Sequence, residues 1–424
     1  MNISLNKIVN ALSIALDLAE TTSLENLNVI EDISEINYSK HKYSHHSKRT
    51  AYIALEIANR LKINDDSYHN LYIAAMLHDI GAQSMLTAVH NSEEYIKAHC
   101  IQGASMIQKI PSLLQIYDII LYHHENYDGS GCMKLKNYLI PIEAQIIRLA
   151  DLLEIMFDEN IPTYKQKDTI LEWVKLRSGT LFSPTIVDCF LVLAKAETFW
   201  FNLYNVPSMG FILDDIAPKK ETYINLKEFE YIAEIFANII DSKSSFTAMH
   251  SRGIANLAFD VAKCLDYDED KCLKMKISGL LHDIGKLAIP VTILDKKDKL
   301  TDDEFSLIKS HTYYTKLILD RIEMISDISE WAANHHEKLN GEGYPRRLPL
   351  SEISQESRII GVCDIYQALT EDRPYRKGMY MYEALDILDD MVRKGLICGK
   401  AVKCLKSTLI SKVETVLCYN NLNL

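Results

Sequence analysis

Apolar positions recur along most of this chain at helical rather than strand spacing. Between Ile224 and Asp241, Phe229, Ile232, Ile235, Phe236 and Ile239 fall on one stripe of a 3.6-residue period, with charged residues opposite. Leu257 to Leu265 and Leu273 to Leu281 repeat the pattern. Thr301-Asp302-Asp303-Glu304 is a capping box that opens a further helix carrying Phe305, Leu307 and Ile308. The first residues read as an amphipathic helix, because Asn10, Ser13 and Asp17 interrupt the apolar run that a secretory leader would need. Alternating strand-like runs are short or absent, so the pattern predicts an all-α fold.

The chain also repeats itself. Leu77-His78-Asp79-Ile80-Gly81 returns as Leu281-His282-Asp283-Ile284-Gly285, and His46-Ser47 returns as His250-Ser251, both 204 residues on (282 − 78 and 250 − 46). His99 answers His311, and His123-His124-Glu125 answers His335-His336-Glu337, at 212 (311 − 99 and 335 − 123). Asp151 answers Asp364 at 213. A register that changes by eight residues and then by one is what loop-length differences produce. The chain is therefore a tandem duplication, expected as two helical bundles over residues 1–200 and 224–424. A connecting segment is expected at 201–223, where Pro207, Gly210, Pro218 and the Lys219-Lys220 pair fall. Residues 21–45 are longer and more polar than their counterpart and read as a loop insertion.

Composition narrows the function. The 424 residues are 48% apolar and 25% charged, and 46 Lys+Arg against 58 Asp+Glu leave a net charge of −12. That balance argues against sequence-independent grip on a nucleic acid polymer. No run reaches the 18 or so apolar residues a membrane span requires. The nine cysteines form no C-x-x-C pair, which fits a reducing, cytoplasmic setting.

The recurring side chains carry the chemistry. Ten of the fourteen histidines sit at matched positions, with an aspartate beside two of them and another downstream in each copy. A lone helical histidine is most often a core or surface residue. Five His and two Asp recurring together point instead to metal, since imidazole is the commonest metal ligand at neutral pH and carboxylate bridges a pair of hard or borderline cations. Seven mixed N/O ligands exceed one four-coordinate site, and no Cys recurs among them. Two metals sharing a carboxylate are suited to activating a bridging hydroxide and clamping a phosphoryl group. The residues thus reach metal-assisted phosphoester hydrolysis.

His282-Asp283-Ile284-Gly285-Lys286, His335-His336-Glu337, Gly341-Glu342-Gly343-Tyr344-Pro345 and Asp372-Arg373-Pro374-Tyr375-Arg376, in that order, resemble the HD-GYP family of bacterial cyclic-dinucleotide phosphodiesterases, within the wider HD phosphohydrolases. The resemblance covers about 224–405 fully and residues 1–200 in degenerate form. It implies His250, His282, Asp283, His311, His335, His336 and Asp364 as ligands of two iron or manganese ions, with Asp283 bridging and catalytic. Some members add a third metal through a Glu upstream of the first His; Phe246 precedes Thr247 here, so two are expected. Lys286 would neutralise the phosphate or leaving oxygen, Arg373 and Arg376 would grip the second phosphate or a guanine edge, and Gly341 and Tyr344 would approach the ligand. The implied reaction is hydrolysis of cyclic di-GMP to linear pGpG and onward to GMP. The alternatives are 3′,3′-cyclic GMP-AMP as substrate, or a non-catalytic signalling or scaffold module. The partners this suggests are the cyclic dinucleotide, a second copy of the chain, or a diguanylate-cyclase-type protein.

The first repeat departs from that pattern. His46, His78, Asp79, His99, His123, His124 and Asp151 could still build a second, non-catalytic metal site. Ala82 replaces Lys286, Gly131-Cys132-Met133 replaces the Gly-Tyr-Pro, and Phe157-Asp158-Glu159-Asn160 offers no counterpart to the two arginines. A phosphate there is expected to meet carboxylates rather than guanidiniums, the wrong Coulomb sign for turnover.

Overall fold

The helical pattern folds as the periodicity requires. A computed structural model describes residues 1–23, 45–82, 93–243, 250–372 and 377–421. Nineteen α-helices lie among them, and the only strands among the described residues are β1 (Ile3–Ser4) and β2 (Tyr223–Ile224), hydrogen-bonded as one pair. No helix among the described residues is long and apolar enough to cross a membrane. The chain divides into two units, Ser4–Tyr223 and Ile224–Leu424, the latter joined by Met1–Ile3.

In the N-terminal unit the helices are α1 (Leu5–Ser23), α2 (His46–Leu61), α3 (Asp65–Leu77), α4 (Glu93–Ile107), α5 (Tyr117–Tyr122), α6 (Ile142–Met156), α7 (Thr163–Leu176), α8 (Pro184–Leu193), α9 (Glu197–Tyr204) and α10 (Met209–Ile216). The C-terminal unit has α11 (Leu226–Lys243), α12 (His250–Cys264), α13 (Glu269–Leu281), α14 (Val291–Leu294), α15 (Asp302–Leu319), α16 (Ser326–Ala333), α17 (Gln355–Thr370), α18 (Met381–Arg393) and α19 (Gly399–Asn421).

The repeat is visible in the helix ends. α2 stops at Lys62, held left-handed at φ 55°, and α12 is followed by Asp266 at φ 57°, again 204 residues on (266 − 62). Asn64 then caps α3 by accepting from Ser67 N (2.9 Å), and Asp268 caps α13 by accepting from Lys271 N (2.7 Å). Acidic pairs follow in each first turn, Asp65-Asp66 and Glu269-Asp270, where the helix dipole favours them. The capping box at Thr301 forms in both directions: Thr301 N donates to Glu304 Oε2 (2.7 Å) and Glu304 N to Thr301 Oγ1 (3.2 Å). α2 packs on α3 and α6, and α12 on α13 and α17, so each unit is built around its second helix. The C-terminal core gathers Ile254, Leu257, Val261, Met275, Trp331, Ile360, Leu388 and Leu405.

Two expectations need correction. The segment 201–223 is largely helical and belongs to the N-terminal unit, whose core receives Trp200, Leu203, Met209 and Leu213. Pro207 sits in a 3₁₀ turn just ahead of α10, a place where a missing N–H costs nothing. The insertion begins later than read, since α1 runs to Ser23; the remainder, 24–44, lies outside the described residues.

Trp200 lies fully buried, stacked on Phe157 (centroids 6.3 Å) and edge-on to Phe199 (5.3 Å), with its Nε1 donating to Ala194 O (2.8 Å). Trp200→Ala is expected to cost about 3–5 kcal/mol, read as a lower urea midpoint by circular dichroism. An unchanged midpoint would mean that Trp200 is no part of the core.

Candidate metal centres

In the C-terminal unit three helix boundaries and two helix interiors converge. His250 opens α12; His282 and Asp283 follow the last residue of α13; His335 and His336 follow α16; His311 and Asp364 project from α15 and α17. Asp283 lies among them: its Oδ2 is 3.1 Å from His282 Nε2 and 3.9 Å from His250 Nε2, and its Oδ1 is 3.4 Å from His311 Nε2 and 3.9 Å from His335 Nε2. Asp364 closes the ring, with Oδ1 3.3 Å from His250 Nε2 and Oδ2 3.8 Å from His336 Nδ1. All seven expected ligands are thus brought together.

The rings are aimed by one device. Nδ1 of His282, His311 and His335 each lies against the carbonyl three residues earlier, Gly279 (2.8 Å), Ile308 (2.7 Å) and Ala332 (2.6 Å). Donation there puts the proton on Nδ1 and leaves the Nε2 lone pair facing inward. His250 is held from the other side, its Nδ1 3.0 Å from Glu371 Oε2. Its helix start is pinned by Asp241 of α11, which accepts from Ser251 Oγ (2.7 Å) and Ser251 N (3.2 Å).

Electrostatics match ligation. Burial pushes His311 down to about 3 and lowers His335 and His336, keeping these imidazoles neutral. Burial opposes ionisation of Asp283, yet the charges of His282 and Lys286 outweigh it and hold the carboxyl well below its usual range. Asp364 is held low in the same way, by its hydrogen bond to His250 and the charges of His336 and His335 against burial. His282 Nε2 and Asp283 Oδ1 are buried with no hydrogen-bond partner. Orphaned buried atoms of this kind are costly. The ligand atoms of His250, His282 and Asp283, and those of His311, His335 and His336, each lie within 4.8 Å of one another. The donor set and the orphaned atoms fit a pair of divalent cations.

Lys286 reaches Asp283 Oδ2 with its Nζ at 2.5 Å, but not along a continuing helix. α13 ends at Leu281, and Lys286 rides a 3₁₀ turn, Ile284–Ala288. Gly285 in that turn has no room for a side chain: a Cβ there would sit 1.9 Å from His311 O. Tyr344 packs tilted against His336 (centroids 4.7 Å, planes 39° apart) and lies edge-on to His311 (6.3 Å). Gly341 makes a left-handed turn at φ 75° on the same loop. Arg373 and Arg376 lie outside the described residues, as does Phe246. Sequence reasoning left Glu337 without a role. Its carboxylate clasps the Tyr344 loop by accepting from Arg346 N (2.8 Å) and Leu348 N (3.0 Å).

The N-terminal unit repeats the arrangement. His46 Nε2 lies 3.4 Å from Asp79 Oδ2 and 3.5 Å from Asp151 Oδ1; His78 Nε2 is 3.0 Å from Asp79 Oδ2, and His99 Nε2 is 3.2 Å from Asp79 Oδ1. His123 and His124 group with His99 and Asp79. Glu125 clasps its loop as Glu337 does, through Met133 N (2.6 Å) and Leu135 N (2.7 Å). The surroundings differ. Guanidiniums are present after all, but engaged: Arg49 pairs with Glu154 and, at 3.3 Å, with Glu159, while Arg148 Nη1 lies 3.1 Å from His124 Nδ1. They replace Gly253 and Gly361 of the other unit, at 253 − 49 = 204 and 361 − 148 = 213. The side chain of His336 is 28% exposed, whereas His124 is buried; the Asp364 side chain is 12% exposed, Asp151 3%. One site is open and the other shut.

Known proteins resemble this chain. The HD domain family matches residues 29–175 and 234–397. A 3′3′-cGAMP-specific phosphodiesterase 1 of Vibrio cholerae is 32% identical over 372 residues, 84% of each chain. A cyclic di-GMP phosphodiesterase of Pseudomonas aeruginosa is 37% identical over 147 residues, 34% of this chain and 36% of that one. A crystal structure of a cyclic GMP-AMP specific phosphodiesterase from V. cholerae superposes with a TM-score of 0.65 at 21% identity, covering 96% of this chain and 98% of that one, a likeness of fold. The chain belongs to the HD domain family, in its HD-GYP branch.

Proposed function

We propose that the C-terminal unit hydrolyses a 3′–5′ phosphodiester bond of a cyclic dinucleotide. The observation that carries this is the open cluster of His250, His282, Asp283, His311, His335, His336 and Asp364 with Lys286 at its edge. A divalent pair of iron or manganese held there supplies Lewis acidity and an activated water. The chain's own residues do the rest. Neutral imidazoles with Nδ1 tied to carbonyls present Nε2 without reorganisation, and Asp283 offers one oxygen to each half of the cluster. Lys286, partly exposed, is placed to neutralise charge on the phosphate as it develops. Tyr344 and the Glu337 clasp form one wall of the site.

Two substrates fit this reading. Cyclic di-GMP is supported by relatives of that name, one of which matches about a third of this chain at 37% identity. 3′,3′-cyclic GMP-AMP is supported by the relative that matches through both units. The N-terminal set of His46, His78, Asp79, His99, His123, His124 and Asp151 we read as a second metal site without turnover, because its walls are closed and Ala82 stands where a lysine would be needed.

Side-by-side chromatography of both cyclic dinucleotides with metal-loaded protein tests the reaction and ranks the substrates. Asp283→Ala is expected to abolish linear product and to empty the C-terminal metals; persistent product would end this reading. Lys286→Ala is expected to keep its metal but lose about 100- to 1,000-fold in kcat, measured with metal content on the same sample. Glu337→Ala removes a carboxylate that accepts two backbone N–H groups. It is expected to raise KM about tenfold or more with metal content intact, since the clasp holds the Tyr344 loop rather than the ions.

A further inference from the structure

α1 carries two acidic side chains one turn apart, Asp17 and Glu20, both buried. Asp17 accepts from Ser47 N (3.0 Å) and Ser47 Oγ (2.7 Å), so this face of α1 is fixed against the residue next to His46. Glu20, 4% exposed, lies within hydrogen-bond reach of the Asp79 carboxylate and close to His46. Its Oε2 has no hydrogen-bond partner. Two buried carboxyl groups in contact need a shared proton or a shared cation between them. Asp151 Oδ2, in the same cluster, is also buried without a partner. These orphaned oxygens belong to residues grouped around His46, His78 and Asp79, whose ligand atoms already lie within 4.8 Å of one another.

The C-terminal unit has the opposite charge at this point. Aligning Asp17 with Asp241, 224 residues on, puts Ser244 in the register of Glu20. The group beside the bridging aspartate is there the Lys286 ammonium, 2.5 Å from Asp283 Oδ2, and its own counterpart is Ala82.

We propose that Glu20 is a ligand of the N-terminal metal pair, supplied by α1 on the His46–Asp79 side, and that it takes the coordination position an incoming phosphate would need. This rests on the reading of the N-terminal cluster as a metal site and says why that site holds metal without hydrolysis. The aspartate at this point of the cluster faces a cation in one unit, the Lys286 ammonium, and a built-in anion in the other.

The test uses the full chain carrying Asp283→Ala and His336→Ala, which dismantle the C-terminal shell, titrated anaerobically with cobalt(II). Cobalt content and the visible d–d bands are read together. The expected result is two tightly held cobalt ions in this parent. With Glu20→Gln added, one is lost or bound at least about tenfold more weakly, with changed bands. Inorganic phosphate should then shift the spectrum of the Glu20→Gln protein and leave that of the parent unchanged. Glu20→Asp, which keeps the carboxylate on a shorter arm, should give an intermediate affinity; it carries the same comparison if Glu20→Gln does not fold. Unchanged cobalt content and bands in Glu20→Gln overturn the proposal while the metal site stands. A parent that binds no cobalt removes the metal site and the proposal together.

Discussion

The structure depends on one close approach, that of the turn after each His-Asp pair to the helix carrying the next histidine. In the C-terminal unit Gly285 lies so near His311 O that a Cβ would sit 1.9 Å away; in the N-terminal unit the same atom of Gly81 would lie 2.2 Å from His99 O. Nothing larger than hydrogen fits, so the glycine is demanded by packing rather than by dihedral angle. The contact brings Asp283 between His282 and His311, and Asp79 between His78 and His99. Thr315 ties the first turn down further, donating to His282 O (2.9 Å) and accepting from Gly285 N (3.1 Å). With the aspartate fixed, carbonyl anchors at the i−3 position set the ring directions, and the ligand cluster follows from backbone geometry.

The scaffold has been kept in both units while its chemistry has diverged in matched steps. Gly253 and Gln367 of the C-terminal unit are Arg49 and Glu154 of the N-terminal one. A Cβ at Gly253 would push aside the end of the Gln367 side chain, 2.5 Å away, whereas Arg49 and Glu154 face each other as a buried ion pair. Removing either member of such a pair would strand the other charge away from water. Tyr344, which covers His336 and His311, becomes Cys132, packed with Cys100 and Ile96 in a small apolar cluster. Each swap replaces a group that could face a ligand with one that faces the protein.

Much of this was legible in the sequence because metal ligation is bought with buried polar residues, which stand out against a helical pattern of apolar ones. The duplication gave each histidine a partner to be checked against. The helix after Thr301 and the stripe from Phe229 to Ile239 were equally plain. The positioning groups were not. Asp17 and Asp241 do the same work, but the connection between them and the first histidine differs in length by 20 residues (224 − 204), so the offset that aligned the ligands did not align them. Glu20 and Glu154 sit among the apolar residues of α1 and α6 with no counterpart acid in the other repeat, and only folding brings them to a site. Lys286 was found by its place after the His-Asp pair, although it rides a 3₁₀ turn rather than α13, which ends five residues earlier. The segment 201–223 looked like a connection because its Pro and Gly outweighed an apolar spacing that buries Leu203, Met209 and Leu213.

The N-terminal cluster raises a question of charge that its fold alone does not resolve. Asp79, Asp151, Glu154 and Glu20 are all buried around His46 and His78. Arg49 answers Glu154, and Arg148 is turned to His124 and to Asn126, 3.3 Å from its Oδ1. No arginine is left for Asp79, Asp151 and Glu20. Burial raises Glu20 well above the usual carboxyl range, with Asp79 adding to it, so an ion-free cluster would hold this carboxyl as its neutral acid. His46, by contrast, is driven well above its ordinary value by Glu154 and Asp79 against its burial, so the ion-free state also carries an imidazolium. Cations at this point would replace both protons, freeing the His46 lone pair and the Glu20 oxygens in the same step. Metal bound in this unit would therefore be coupled to proton release from residues of two helices, Glu20 of α1 and His46 of α2, and the ions would act as a staple for that corner of the bundle. A unit with Ala82 and Cys132 in place of Lys286 and Tyr344 would still have that reason to keep its ligands.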